Sequence, residues 1–321
     1  MSGRSLAFFI GRRLAAMVVL LLIISFGVFT LLYLAPGSVE QILLGTKPAT
    51  PETLASIRAQ YHLDDPFLTQ YWIWLKDALH GDFGTSIRTS EPVASGIESR
   101  MGLTLFLGGY AFVLVMLTGV PLGILAAVKK RSVVDRGVVA LGVIGVSAPA
   151  FATGIFLLYI FAVLLGWFPA YGQGSGFTDR LWHLTLPAVA LALTAMALVL
   201  KLTRAAMITA LDQDYVAFAR ARGIPSGRVL VFYGLRNALI PVVTAAGLIL
   251  GYLLTGAVLV EVTFALPGIG SLLVDSVDFK DVPMVQGVAM TAAFVIILVN
   301  LLTDILYLFI DPRVRFGRSA A

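Results

Sequence analysis

Six long apolar stretches decide what this chain can fold into. A helix needs about 20 apolar residues to cross a hydrocarbon core. The stretches run from about Leu14 to Ala35, Leu103 to Val128, Gly137 to Leu165, Leu184 to Leu202, Ala238 to Val260 and Met284 to Ile310. Pro36-Gly37 ends the first, and Lys129-Lys130-Arg131 ends the second. The third and sixth exceed a straight crossing. Tilt, or a kink at Pro149 in the third, absorbs the excess. The N-terminal stretch follows a basic segment but is longer than a signal-peptide core and lacks a small-residue cleavage site, so it reads as a retained first span.

Composition agrees. Hydrophobic residues make up 59% of the chain and charged residues 13%, against roughly 45–50% and 25% in soluble domains. Mean hydropathy is +0.93. A disordered chain is excluded, and a soluble enzyme would expose large apolar patches. The expectation is an all-α polytopic membrane protein with six transmembrane helices.

Basic residues set the expected orientation. Sixteen of the 23 fall on the side that holds both termini. They are Arg4, Arg12 and Arg13; Lys129, Lys130, Arg131 and Arg136; Lys201, Arg204, Arg220, Arg222, Arg228 and Arg236; and Arg313, Arg315 and Arg318. That side should be the cytoplasm. The net charge of +5 therefore records topology and gives no reason to invoke nucleic acid.

The expected layout is residues 1–35 as cytoplasmic N-terminus and first span, and 36–102 as a structured extracytoplasmic loop. Residues 103–310 are expected to form a five-helix core that includes the cytoplasmic loop 203–237, and 311–321 a cytoplasmic tail. The outer loop is too long for a bare connector. Thr50-Pro51 and Asp65-Pro66 each read as a cap followed by proline at the first helical position. The second helix places Phe67, Tyr71, Trp74, Leu75 and Ala78 on one face, suited to packing on span ends near the membrane interface. Asp275, Asp278 and Asp281 make the last outer loop acidic. A solvated surface and a contact surface for an external partner both fit it.

The cytoplasmic loop 203–237 is the most informative. Asp214 can cap a helix from Tyr215 to Arg222. Gly223 suits the left-handed position after it, and Pro225 follows. Ser226 can cap a second short helix. An ordinary basic loop near anionic membrane lipid and a docking element for a cytoplasmic partner both remain open. Compact, capped geometry favours docking, because lipid attraction needs no defined fold.

Motifs for catalysis are missing. Cysteine is absent, and the three histidines, His62, His80 and His183, form no paired metal-ligand spacing. No phosphate-binding Gly-Lys-Ser/Thr loop and no Gly-x-Ser-x-Gly occurs. Inside the spans, Asn300, Asp304 and Tyr307 share one helical face. Helix-to-helix hydrogen bonding and a pathway role both fit them. Glu261, near a span end, reads as hydrated. Gly119 with Gly123, and Gly247 with Gly251, suit close helix packing within a bundle or across a dimer. A stand-alone channel or ion-coupled carrier is the alternative class; an ion-driven carrier would usually show more intramembrane ionisable groups.

The sequence also resembles a known family. The resemblance runs through Arg12-Arg13-Leu14, Ala35-Pro36-Gly37, Tyr61 to Pro66, Gln70-Tyr71, Trp74-Leu75 and Gly81 to Ser86. It continues through Asp214-Tyr215-Val216, Ala219 to Gly223, Leu235 to Pro241, Pro267 to Gly270, Asp281-Val282-Pro283, Gln286-Gly287 and Asp304, Tyr307, Asp311-Pro312-Arg313. It is similar to the B-type permease subunits of dipeptide and oligopeptide ABC importers. The resemblance implies the type I ABC importer permease fold. It implies a coupling loop, 214–241, that docks on a cytoplasmic ATPase, with Asp214, Tyr215, Ala219, Arg220, Arg222, Gly223, Arg236 and Asn237 as its candidate residues. It further implies a second homologous permease, two cytoplasmic ATPase subunits and an extracytoplasmic substrate-binding protein, in a prokaryotic inner membrane. ATP and Mg would be used by those ATPases, with no cofactor bound directly here and no catalysis by this chain. Peptides are the implied solute; glutathione, nickel and sugars are alternatives. One departure is Ala217-Phe218-Ala219 where the wider pattern has Glu-Ala-Ala, which removes one polar contact.

Overall fold

The computed structural model describes residues 3–34, 37–45 and 48–310, without the side chains of 3–9, 244 and 306–310. The expected tail 311–321 lies outside the described residues. Among the described residues the only strand-like feature is an isolated bridge between Thr85 and Pro92. Everything else regular is helix. In order these are α1 (Gly3–Leu34), α2 (Val39–Leu44), α3 (Pro51–Gln60), α4 (Phe67–Leu79), α5 (Val93–Val128), α6 (Val133–Ser147) and α7 (Ala150–Leu157, continued as wide turns over Leu158–Leu164). Then come α8 (Gly176–Leu211), α9 (Asp214–Ala221), α10 (Ser226–Arg228, continued as wide turns over Val229–Leu235), α11 (Arg236–Thr263), α12 (Ile269–Asp278) and α13 (Val282–Ile310).

Among the described residues, five helices are long and apolar enough to span a membrane: those containing Ile10–Leu34, Val93–Val128, Gly176–Leu211, Ala245–Thr263 and Val282–Ile305. The sixth expected span is a broken pair. α6 and α7 meet at Ala148-Pro149 with a bend of 103°. Proline disfavours helix in the residue before it, and Ala148 is extended at φ −99°, ψ 122°. The expected kink is thus a full break. Pro121, Pro187 and Pro241, by contrast, sit inside unbroken helices.

The chain divides into two compact units. The core unit comprises Leu105–Leu266 and the chain from Val299. Its central element is α8, whose buried residues include Leu191, Ala195, Val199 and Leu200. Small residues let other helices approach it. A Cβ added at Gly123 would lie 2.6 Å from Thr203 Cβ and 2.8 Å from the Leu200 carbonyl oxygen. One at Gly119 would lie 3.1 Å from Val199, and one at Gly145 2.8 Å from the Leu193 carbonyl. Gly247 faces Thr303 of α13. Gly119, Gly123 and Gly247 therefore serve packing within the chain.

The loop unit comprises the chain up to Thr104 and Pro267–Leu298. Thr50 caps α3, its side chain accepting from the Thr53 amide, with Pro51 first in the helix. At α4 the expected register shifts by one. Pro66 holds the cap position, and its carbonyl accepts from Thr69 and Gln70. Proline fixes φ but leaves ψ free to be extended, here 142°. The aromatic face of α4 packs on α1 as its spacing suggests. Phe67, Tyr71 and Trp74 surround Phe29 at centroid distances of 5.4 to 5.6 Å, each such pair worth about 0.5–1.5 kcal/mol beyond area burial. Tyr71 Oη and Ser25 Oγ share a hydrogen bond of 2.8 Å.

Asp281 departs from its expected place. It is 3% exposed and so belongs to no solvated acidic surface. Its carboxylate accepts from the Ser86 hydroxyl at 2.5 Å and from the amides of Ile87 and Met284 at 3.1 and 3.4 Å. An ionised carboxylate needs such donors once water is removed. Asp275 and Asp278 stay nearer the surface. Glu261 is likewise 0% exposed rather than hydrated.

Candidate coupling site

α8 does not stop where its apolar run thins. It continues through Lys201 and Arg204 to Leu211, so the connecting element begins at Asp212. α9 follows. Its cap position is Gln213, extended at φ −80°, ψ 149°, and Asp214 already lies in the first turn. The Asp214 carboxylate therefore acts on the positive end of the helix instead of capping it.

The end of α9 fits its sequence closely. Gly223 is left-handed at φ +74°. Its amide donates to the Arg220 carbonyl at 2.9 Å, and the Ile224 amide donates to the Ala219 carbonyl at 3.2 Å. These two bonds complete a Schellman turn, with Ile224 packed among the buried side chains that include Ala219. Pro225, not Ser226, then caps α10; its carbonyl accepts from Arg228 and Val229 at 2.9 and 3.0 Å.

The element has a defined inside and outside. Val216, Ala219 and Val229 are buried, with Leu211, Ile224 and Tyr233 packed against them. Ala219 thus holds the element together rather than presenting a contact. Tyr215 stacks on Tyr233, and its hydroxyl accepts from Asn237 Nδ2 at 3.1 Å. Asn237 also donates to the Tyr233 carbonyl at 2.8 Å. The structure so brings together Tyr215 and Asn237, 22 residues apart, and clamps α9 to the start of α11. Asp214, Arg220, Arg222 and Arg236 are exposed, beside Phe218 at 71% and Phe232 at 62%. The element thus exposes both bulky apolar rings and charge.

Sequence reasoning missed one feature beside this element. Arg204 of α8 meets Asp135 of α6 in a two-pronged pair, Nε to Oδ1 at 2.6 Å and Nη2 to Oδ2 at 2.8 Å. Lys130 meets Asp212 at 3.2 Å. The signal that could have found the first pair is Ser132 three residues before Asp135, a helix start whose hydroxyl accepts from the Asp135 amide and so sets that residue in the first turn.

The expected intramembrane face is only partly described. Asn300 is exposed and Asp304 half-buried. The Tyr307 side chain lies outside the described residues. Among the described residues no group of His, Asp and Glu could hold a metal ion.

Comparison with known proteins gives the family. The family described as the binding-protein-dependent transport system inner membrane component matches residues 119–316, and its N-terminal part matches residues 6–108. The chain belongs to this family. It is a permease subunit of an ABC importer, a multi-pass component of the inner membrane. The permease is 39% identical to the glutathione transport system permease protein GsiC of Salmonella typhi over 306 residues, 95% of this chain and 98% of that protein. It is 38% identical over the same length to the protein of that name in Escherichia coli. Among solved structures, an inward-facing conformation of the MetNI methionine ABC transporter aligns with a TM-score of 0.51 and 16% identity. That match covers 65% of the permease and 93% of the other chain, and it supports the fold. In this family ATP hydrolysis belongs to a separate subunit, and the permease is not an enzyme.

Proposed function

We propose that this permease forms half of a translocation pathway for small peptides and docks on cytoplasmic ATPases through the 214–241 element. The observation that carries the reading is the clamped α9–α10 unit, buried on Val216, Ala219 and Val229 and bearing exposed Phe218, Arg220 and Arg222. A rigid, two-sided element can transmit force, whereas a loop attracted to lipid needs no such core. Asp214, Arg220, Arg222, Gly223 and Arg236 meet the ATPase; Tyr215, Ala219 and Asn237 hold the element's shape.

The partners are a second homologous permease, two ATPases that bind ATP and Mg, and an extracytoplasmic binding protein that delivers the solute. No cofactor binds this chain. Both termini and the 203–237 segment are cytoplasmic, as the distribution of basic residues requires. The name shared by the relatives favours glutathione, itself a tripeptide, as the solute.

Reconstitution in proteoliposomes tests the reading. Uptake of glutathione or a free dipeptide should require ATP, the ATPases and the binding protein together. Uptake by this chain alone would overturn it in favour of a carrier or channel.

A further inference from the structure

The broken pair α6–α7 is the least expected part of the fold, and α6 is joined to α8 along its whole length. At the end nearest the coupling element, Arg204 grips Asp135 with two hydrogen bonds of 2.6 and 2.8 Å. Asp135 is 4% exposed, and its Oδ2 also accepts from the Arg131 amide at 2.9 Å. That third bond holds Arg131 in the left-handed region, at φ +66°, a conformation a non-glycine residue keeps only when its surroundings enforce it. Ser132 fixes Asp135 from behind by accepting from its amide. In the middle, Val138 and Leu200 share one buried cluster with Ala126. A Cβ added at Gly142 would lie 4.0 Å from Ala197 Cβ. At the bend, a Cβ at Gly145 would lie 2.8 Å from the Leu193 carbonyl. Next to it, Thr194 donates to the Ala148 carbonyl at 3.3 Å. Ala148 is extended, outside both helices, so its carbonyl takes its donor from the Thr194 hydroxyl of α8.

From this we infer that α6 and α8 move as one rigid lever, with Asp135 and Arg204 as positioning residues that lock it. The inference rests on the coupling reading above. α8 runs directly into the coupling element at Asp212. The distance along α8 from Arg204 to Thr194 is about 15 Å at 1.5 Å per residue. A displacement of α9 is therefore delivered, without slip between α6 and α8, to the break at Ala148-Pro149 and the start of α7. Close-packed interfaces have discrete arrangements and do not slide continuously. At Gly145 the backbones lie too near for a sliding ridge of side chains, and at Gly142 a side chain would already be in van der Waals contact with Leu200 and Ala197. The two-pronged salt bridge fixes the axial register, because a planar guanidinium matches a carboxylate in one orientation.

A cross-link tests the lever directly, since the chain has no native cysteine. Gly142→Cys with Ala197→Cys places two thiols at a Cβ separation of 4.0 Å, within the range a disulfide spans. The variant is assembled with its partner permease, ATPases and binding protein, then oxidised. The disulfide should form, and oxidised complexes should keep at least half of the ATP-driven uptake seen after reduction. Loss of uptake on oxidation, restored by reductant, would overturn the inference, as would failure of the pair to cross-link. Asp135→Asn and Arg204→Gln provide the second arm. Each should lower solute moved per ATP hydrolysed by about tenfold while the complex still assembles and hydrolyses ATP. The exchange Asp135→Arg with Arg204→Asp should recover part of that ratio. Wild-type coupling in both single variants would show the pair to be structural only and would also overturn the inference. Absence of ATP-driven uptake in the wild-type complex would instead count against the coupling reading.

Discussion

Ser86 donates its hydroxyl to Asp281 across 195 residues of chain. The two lie in separate sequence motifs, Gly81 to Ser86 and Asp281-Val282-Pro283, and both are 3% exposed. Their bond, with the amides of Ile87 and Met284 on the same carboxylate, fastens the hairpin-like segment 84–93 to the first turn of α13. Removing Asp281 would strand several donors at once. Asp281→Ala should destabilise the loop unit by about 3 kcal/mol, and Ser86→Ala by about 1–2 kcal/mol. Thermal unfolding of the detergent-solubilised protein checks both, and equal stability of the two variants would contradict the assignment of Asp281 as the hub.

Gly123 should be sensitive to the same change that Gly227 tolerates. A Cβ at Gly123 meets Thr203 Cβ at 2.6 Å and the Leu200 carbonyl at 2.8 Å, while one at Gly227 meets nothing within 4 Å. Overpacking between α5 and α8 costs about 1–3 kcal/mol. Gly123→Ala should therefore lower the unfolding temperature, and Gly227→Ala should leave it within about 0.5 kcal/mol of wild type in stability. Parallel melting curves of the two variants decide the point.

Topology gives a third prediction. Ser226 is exposed at the start of α10. A cysteine in its place should resist a membrane-impermeant thiol reagent in intact cells and react after permeabilisation. Labelling from outside would reverse the orientation drawn from the basic residues.

Much of this molecule was legible in its residues, and the exceptions share a cause. The five unbroken spans among the described residues follow from apolar length, because a bilayer selects for that one property. Thr50-Pro51 marks its helix correctly, and Gly223 marks the end of α9, because caps are local chemistry. The 103° break at Pro149 reads in sequence only as a kink. How far the chain turns there depends on a distant donor for the Ala148 carbonyl, here the Thr194 hydroxyl at 3.3 Å. Asp281 and Glu261 look hydrated in sequence and are buried, since burial of a carboxylate depends on distant donors. Arg204 reads as loop charge, yet it lies on α8 and pairs with Asp135 over 69 residues. Within the coupling element, Ala219 carries a motif position but faces inward, and only the fold separates such a residue from exposed Arg220.

The central claim is that α9 and α10 pass force between this permease and its ATPases. Phe218 is 71% exposed, so Phe218→Asp should leave the fold within about 0.5 kcal/mol of wild type. Gly223→Arg adds a side chain that meets no neighbour within 4 Å of its Cβ, at the strain of a left-handed residue. The deciding measurement is solute uptake and ATP hydrolysis in the same proteoliposomes, for wild type and these two variants. The account predicts membrane-inserted, folded variants in which uptake falls at least tenfold relative to ATP hydrolysed. Wild-type uptake per ATP in both variants would contradict it.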